Sequence, residues 1–176
     1  MSDRKQGKSR LRGVGLAAMM VAAGLAVGLL AQSPPVRAQD QSAAKVEDVI
    51  MARKTMMDTL SDNMDQIEQM ISTNKIDLDD AHEHADTISV MLMAFPHLFP
   101  PASNQWKAGV EIDPVTGTYA SPDIWSKFAD FYKRANDASK AAYDMSRAEK
   151  PDELKAKTGV LRKDCNDCHA AYLKMQ

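Results

Sequence analysis

Cysteine is almost absent from this 176-residue chain: Cys165 and Cys168 are the only two. Both sit near the C-terminus, so none is left to close a disulfide elsewhere. Structural zinc takes four ligands, from two cysteine pairs or from one pair and two histidines. There is no second pair here, and His82, His84 and His97 lie far upstream. Strand-type alternation, internal repeats and low-complexity tracts are also missing. No acid–base pair or nucleophile constellation is legible, so the reading is that the chain is not an enzyme.

One long uncharged, mostly apolar run is present. It spans 13–31, behind Arg4, Lys5, Lys8, Arg10 and Arg12, and is followed by Pro34-Pro35 and "VRA". A basic start, an apolar stretch and a small-residue cleavage site describe an export signal over 1–38, cut after Ala38. The run is longer than the usual signal core and approaches a membrane span, so an uncleaved anchor is the alternative. Its Ala and Gly content favours cleavage. Either way the remainder, 39–176, is expected outside the cytoplasm, in the periplasm. Removing the leader takes away six basic residues and one acidic one, leaving 16 basic against 23 acidic, a net charge of −7. That excess of negative charge argues against nucleic acid or an anionic membrane surface and for partners with a basic docking face.

Four helical stretches can be read in the remaining single domain. The first, about 44–73, carries Val46, Ile50, Met57, Leu60, Met64, Ile67 and Ile71 at steps of three and four once Arg53 is included. The second, about 78–94, places Ala81, Ala85, Ile88 and Leu92 on one face and stops before Pro96. The third is predicted to start at "SPDIW", with Ser121 as N-cap and Pro122 in the first turn, and to run unbroken past Phe128 and Phe131 to Met145. The last begins at Pro151 and aligns Leu154, Leu161, Cys165, Cys168 and Tyr172. Short gaps make the first and second, and the third and fourth, antiparallel neighbours. Between the pairs lies a long aperiodic loop, a length that usually serves a purpose. The expected fold is all-α, an antiparallel four-helix bundle.

Within the last helix the chain reads "CNDCH". Two cysteines separated by two residues serve zinc, dithiol exchange or covalent haem attachment. A redox dithiol normally sits on a strand-to-helix turn, and nothing nearby reads as a strand. The histidine directly behind the second cysteine is what haem attachment requires. Cys165 and Cys168 would form thioethers to the porphyrin, and His169 would reach the iron as proximal ligand. The expected cofactor is one covalently attached haem c. A dithiol protein remains the non-haem alternative.

The second face of the iron has candidates in His82, His84, His97 and nine methionines. Arg53 stands in the apolar seam of the first helix, with Met57 four residues later on the same stripe. A buried guanidinium needs an anion, and a haem propionate is one. Arg53 and Met57 could thus touch the edge and the iron of one porphyrin. A snorkelling arginine and a packing methionine would give the same spacing. His82 and His84, in "DDAHEHAD", read as a solvated helix start, with a surface metal site as the alternative. His97 lies in a proline-bounded turn from which it could approach the haem edge.

The chain resembles the cytochrome c-prime family in "ARKTMMDTLSDNM", "FPHLFP", "SPDIW" and "CNDCHAAY", over roughly 45–174. In that family the residue four after the first helix's arginine faces the distal side of the iron. Met57 stands there, so the resemblance implies low-spin His/Met ligation and one-electron transfer. Met56, next to it, is expected to point off the seam. High-spin members commonly carry a basic residue four after the haem histidine; this chain has Leu173. The alternative is a haem protein in which nitric oxide or carbon monoxide binds or displaces Met57. The resemblance also makes a homodimer possible. Tyr172 is expected to pack against the haem, and Trp125 to anchor the third helix.

Overall fold

A computed structural model describes residues 45–113 and 115–174; the leader expectation for 1–38 lies outside them. Among the described residues five α-helices follow one another: α1 (Val46–Ser72), α2 (Leu78–Ala94), a short α3 (Asp123–Ser126), α4 (Phe128–Met145) and α5 (Pro151–Tyr172). The long ones, α1, α2, α4 and α5, form the four-helix bundle, with α1 on α2, α2 on α4 and α4 on α5. Among the described residues no helix is long and apolar enough to cross a membrane.

The helix ends follow from local chemistry. After α1, Asn74 takes the left-handed conformation (φ 54°). That lets the Asn74 and Lys75 N–H groups donate to the Ile71 and Met70 carbonyls, closing the last turn. Asp77 caps α2 by accepting from the Asp79 and Asp80 N–H groups. Pro96 ends α2 as expected, and the chain continues as a 3₁₀ turn, Phe95–Leu98. Pro151 occupies the first turn of α5, where its missing N–H costs nothing.

The apolar stripes read for the first two helices are buried through most of their length, with Val46, Met57 and Ile71 half-buried. Ile50, Leu60, Met64 and Ile67 of α1, and Ala81, Ala85, Ile88 and Leu92 of α2, are all in the core. Facing them, α4 buries Ala135, Ala138, Ser139 and Ala142. These small residues bring α2 and α4 close enough for the Ser139 hydroxyl to donate to the Ser89 carbonyl at 2.7 Å. In α5 the buried stripe also takes in Thr158, whose hydroxyl donates to the Leu154 carbonyl and so hides its polarity.

The third helix is not continuous. Lys127 leaves the helical region (φ −122°, ψ 36°) and separates α3 from α4. Ser121 does cap this start, accepting from Asp123 N–H at 3.2 Å. The break lets α3 follow the long loop, whose Phe99 and Pro100 carbonyls accept from Trp125 Nε1, while α4 follows α2. It also rotates Phe128 off the expected stripe: that ring is 40% exposed, whereas Ile124 and Phe131 are buried.

Candidate functional site

Among the neighbouring long helices, α1 and α5 touch least, and between them lies a cavity of about 450 Å³ with a mostly apolar wall. That volume falls in the ordinary range for a cofactor or small-molecule site. Met57 reaches it from α1; Cys165, Cys168 and His169 reach it from α5. Arg53 lines it one turn before Met57. The residues singled out in the sequence are therefore brought to one space by two helices far apart in the chain.

The register of α5 explains half of this. Leu154, Thr158 and Leu161 bury its first half against the bundle. One turn further along the same stripe, Cys165 and Cys168 are only half-buried, because the cavity replaces a packed neighbour. The last turn is tied down twice more. Ser121 N–H donates to the Tyr172 carbonyl, and Lys174 N–H to the Tyr119 carbonyl, pairing the C-terminal segment with the end of the long loop. Tyr172, buried and lining the cavity, donates its hydroxyl to Asp130 Oδ2 at 2.6 Å. Burial and that bond push its pKa up to about 12.

Both thiols are shifted away from reactivity. Burial raises Cys165 above its ordinary range and pushes Cys168 up to about 11. An exchange-active dithiol needs the opposite, a thiolate stabilised at a helix N-terminus or by a nearby cation. Here the cysteines lie in the last two turns of a helix, and the neighbouring Arg162 and Arg134 cations only partly offset the effect of burial. The dithiol alternative is therefore disfavoured by the site itself. Partial burial, with a second contribution from the Arg162 cation, pushes His169 below its ordinary value, a direction that favours the neutral ring metal ligation requires.

Arg53 is held by protein groups that the sequence did not point to. It is only 4% exposed. Nη1 donates to Ser103 Oγ at 2.9 Å and Nη2 to Thr118 Oγ1 at 3.2 Å. The guanidinium carbon lies 4.5 Å from the centre of the Phe99 ring. Two hydroxyls and an aromatic face, rather than a carboxylate, thus surround the cation among the described residues, and burial pushes its pKa down to about 10. Arg53 pins both halves of the long loop to α1, a role the sequence did not suggest. Its other N–H donors leave it able to meet an anion in the cavity.

The remaining candidates lie elsewhere. Met56 is half-buried and packs against the same core clusters as Met57, so it is not turned off the seam; it does not line the cavity. The buried arc of α1 is wider than one stripe because the long loop covers its flank. His82 Nε2 meets the Ala148 carbonyl at 2.8 Å, and His84 Nδ1 meets Asn63 Oδ1 at 2.8 Å. Both histidines tie α2 to its neighbours, and no cluster suited to a metal ion occurs among the described residues. His97 is exposed, edge-on to Tyr132, and away from the cavity. Sequence reasoning missed Arg134 and Arg162, which also line the cavity. For Arg162 the signal was present, since it falls three residues before Cys165.

An apolar chamber reached by two thiols, an imidazole and a thioether, with a buried guanidinium on its wall, suits a dianionic porphyrin fixed by two thioether bonds. Known proteins agree. The family model described as Cytochrome C' matches residues 48–173. Cytochrome c-556 of Agrobacterium tumefaciens (strain II Chrys) is 34% identical over 89 residues, 49% of this chain and 63% of that protein. The matched region thus spans under two thirds of that relative. Cytochrome c' of Thermochromatium tepidum superposes with a TM-score of 0.64 at 18% identity, covering 74% of this chain and 98% of that one. A mutant of Rhodopseudomonas palustris cytochrome c' gives 0.63 at 25% identity, covering 73% and 98%. A cytochrome c' described by an unusual ligand-controlled dimer dissociation gives 0.63 at 17% identity, covering 74% and 98%. The chain belongs to the cytochrome c' family, whose cofactor is a single covalently attached haem c.

Proposed function

We propose that this protein is an exported, periplasmic one-electron carrier with low-spin, His/Met-ligated haem iron. The observation that carries the reading is Met57, which lines the cavity reached by Cys165, Cys168 and His169. In this assignment the two cysteines hold the porphyrin as thioethers, His169 is the proximal ligand and the Met57 thioether the distal one. Arg53, on the cavity wall, would meet the propionates. Haem iron supplies a one-electron couple. The chain's part is to keep the same two ligands in both oxidation states, so that little reorganisation accompanies the electron.

Leu60, Met64, Leu92, Phe95 and Phe131 give the chamber an apolar wall. Because Met57 is carried on the long helix α1, its sulfur is presented by a rigid element rather than a loop. The acidic balance outside the leader favours donors and acceptors with a basic face. A homodimer is compatible with the bundle.

The test is an optical and carbon monoxide titration of the purified holoprotein. A sharp reduced α band, a weak sulfur–iron charge-transfer band and no response to carbon monoxide are expected. Met57→Ala should convert this to a broad high-spin spectrum that shifts with carbon monoxide. A wild-type protein that already binds the gas would move the assignment to a gas-binding haem protein with a displaceable or absent sixth ligand.

A further inference from the structure

We infer that Arg162, tied to Glu68 across the seam between α1 and α5, is a fixed cation that raises the reduction potential of the haem site. The inference rests on the haem assignment above and concerns how that site is tuned.

Arg162 precedes Cys165 by three residues and His169 by seven, so all three share one face of α5. Its side chain lines the cavity and is 37% exposed. Two carboxylates of α1 restrain the guanidinium: Nε donates to Glu68 Oε1 at 2.7 Å, and Nη2 lies 3.8 Å from Asp65 Oδ1. Neither carboxylate lines the cavity. The pair is therefore oriented, its positive end on the cavity wall and its negative end outside, on α1.

A positive charge beside the iron disfavours the ferric form more than the ferrous one, since the ferric form carries one more unit of positive charge. Arginine cannot be deprotonated in the working range, so this bias is permanent. Glu68 opposes it from farther away. The two residues should therefore act on the potential with opposite signs and unequal size, which a merely structural bridge would not do. Loosening the α1–α5 seam from either end would act in one direction.

The experiment is a spectroelectrochemical titration of the holoprotein at low ionic strength. For Arg162→Gln the ferric-to-ferrous ratio at fixed ambient potential should rise by about threefold or more, allowing for solvent screening of a partly exposed group. A tenfold change would correspond to 59 mV. Glu68→Gln should move the ratio the other way and by less, and Arg162→Lys should restore most of the wild-type value. Added salt should shrink both shifts. An unmoved midpoint in Arg162→Gln, or shifts of the same sign in Arg162→Gln and Glu68→Gln, overturns the inference. If Arg162→Gln does not accumulate, a fall or no change in the Glu68→Gln potential overturns it alone. A wild-type protein without a haem spectrum would instead sink the haem assignment, which separates the two failures.

Discussion

Replacing Arg53 by methionine asks whether this buried cation has an anionic partner in the working protein. Methionine keeps an unbranched stem of similar reach and removes the charge. From protein atoms alone the change is close to balanced. It forfeits two hydrogen bonds from a charged donor, to Ser103 and Thr118, at roughly 1.5 kcal/mol each. Neither hydroxyl is stranded, since Ser103 Oγ still donates to the Pro100 carbonyl and Thr118 Oγ1 still accepts from Ala120 N–H. Against that loss stands the desolvation of the guanidinium. A fall in pKa from 12.5 to about 10 corresponds to roughly 3 kcal/mol at about 1.36 kcal/mol per unit. Both values lie above neutrality, so the whole of that cost is present at pH 7, and it would be relieved only as pH rises through about 10. The protein-only balance is therefore within about 1 kcal/mol of zero, as replacing buried charge by apolar volume often is.

A haem propionate on Arg53 changes the result. Removing one partner of a buried pair costs about 3–5 kcal/mol, because the other charge is left behind. The expected outcome for the holoprotein is thus a loss of about 3 kcal/mol or more. It would be measured by guanidinium unfolding, followed by far-ultraviolet circular dichroism and by the Soret band. A change under about 1 kcal/mol, with the denaturant slope preserved, would falsify the cofactor-binding role and leave Arg53 as a clamp for the long loop.

Two other expectations concern the frame around the site. Gly159 lies mid-helix in α5 on the exposed face, and a Cβ there would meet nothing within 4 Å; Gly159→Ala should stabilise by about 0.5–1 kcal/mol, read as a higher urea midpoint, and a lower midpoint would contradict it. Tyr172→Phe removes the bond to Asp130, whose carboxyl is held below its ordinary range by Tyr172 first and Arg134 second. That stabilisation is full above the unfolded carboxyl value near 3.9 and is lost as pH falls through the lower folded value. The variant should be less stable at neutral pH, and the difference should close in acid; a gap that persists at low pH would show another cause.

The helical frame was legible because helical period is a local property. The stripes of α1 and α2, the proline stops and the cap at Asp77 all depend on neighbours within a few residues. The third helix escaped this logic at Lys127, since the break answers to Trp125 and the carbonyls of Phe99 and Pro100, distant partners that no periodicity encodes. Phe128 was misplaced for the same reason. Arg53 is a sharper case. Its place in an apolar seam announced a buried cation, but its described partners, Ser103, Thr118 and Phe99, lie 46 or more residues later in a loop without pattern.

By itself the sequence determined the bundle, the attachment motif and the candidates Met57 and Arg53, because spacing along a helix dictates which side chains share a face. Only the tertiary structure brought α1 and α5 to the same cavity and turned Arg162 toward it with Glu68 behind. Whether two faces meet depends on how every other helix packs. No single stretch of the chain holds that information.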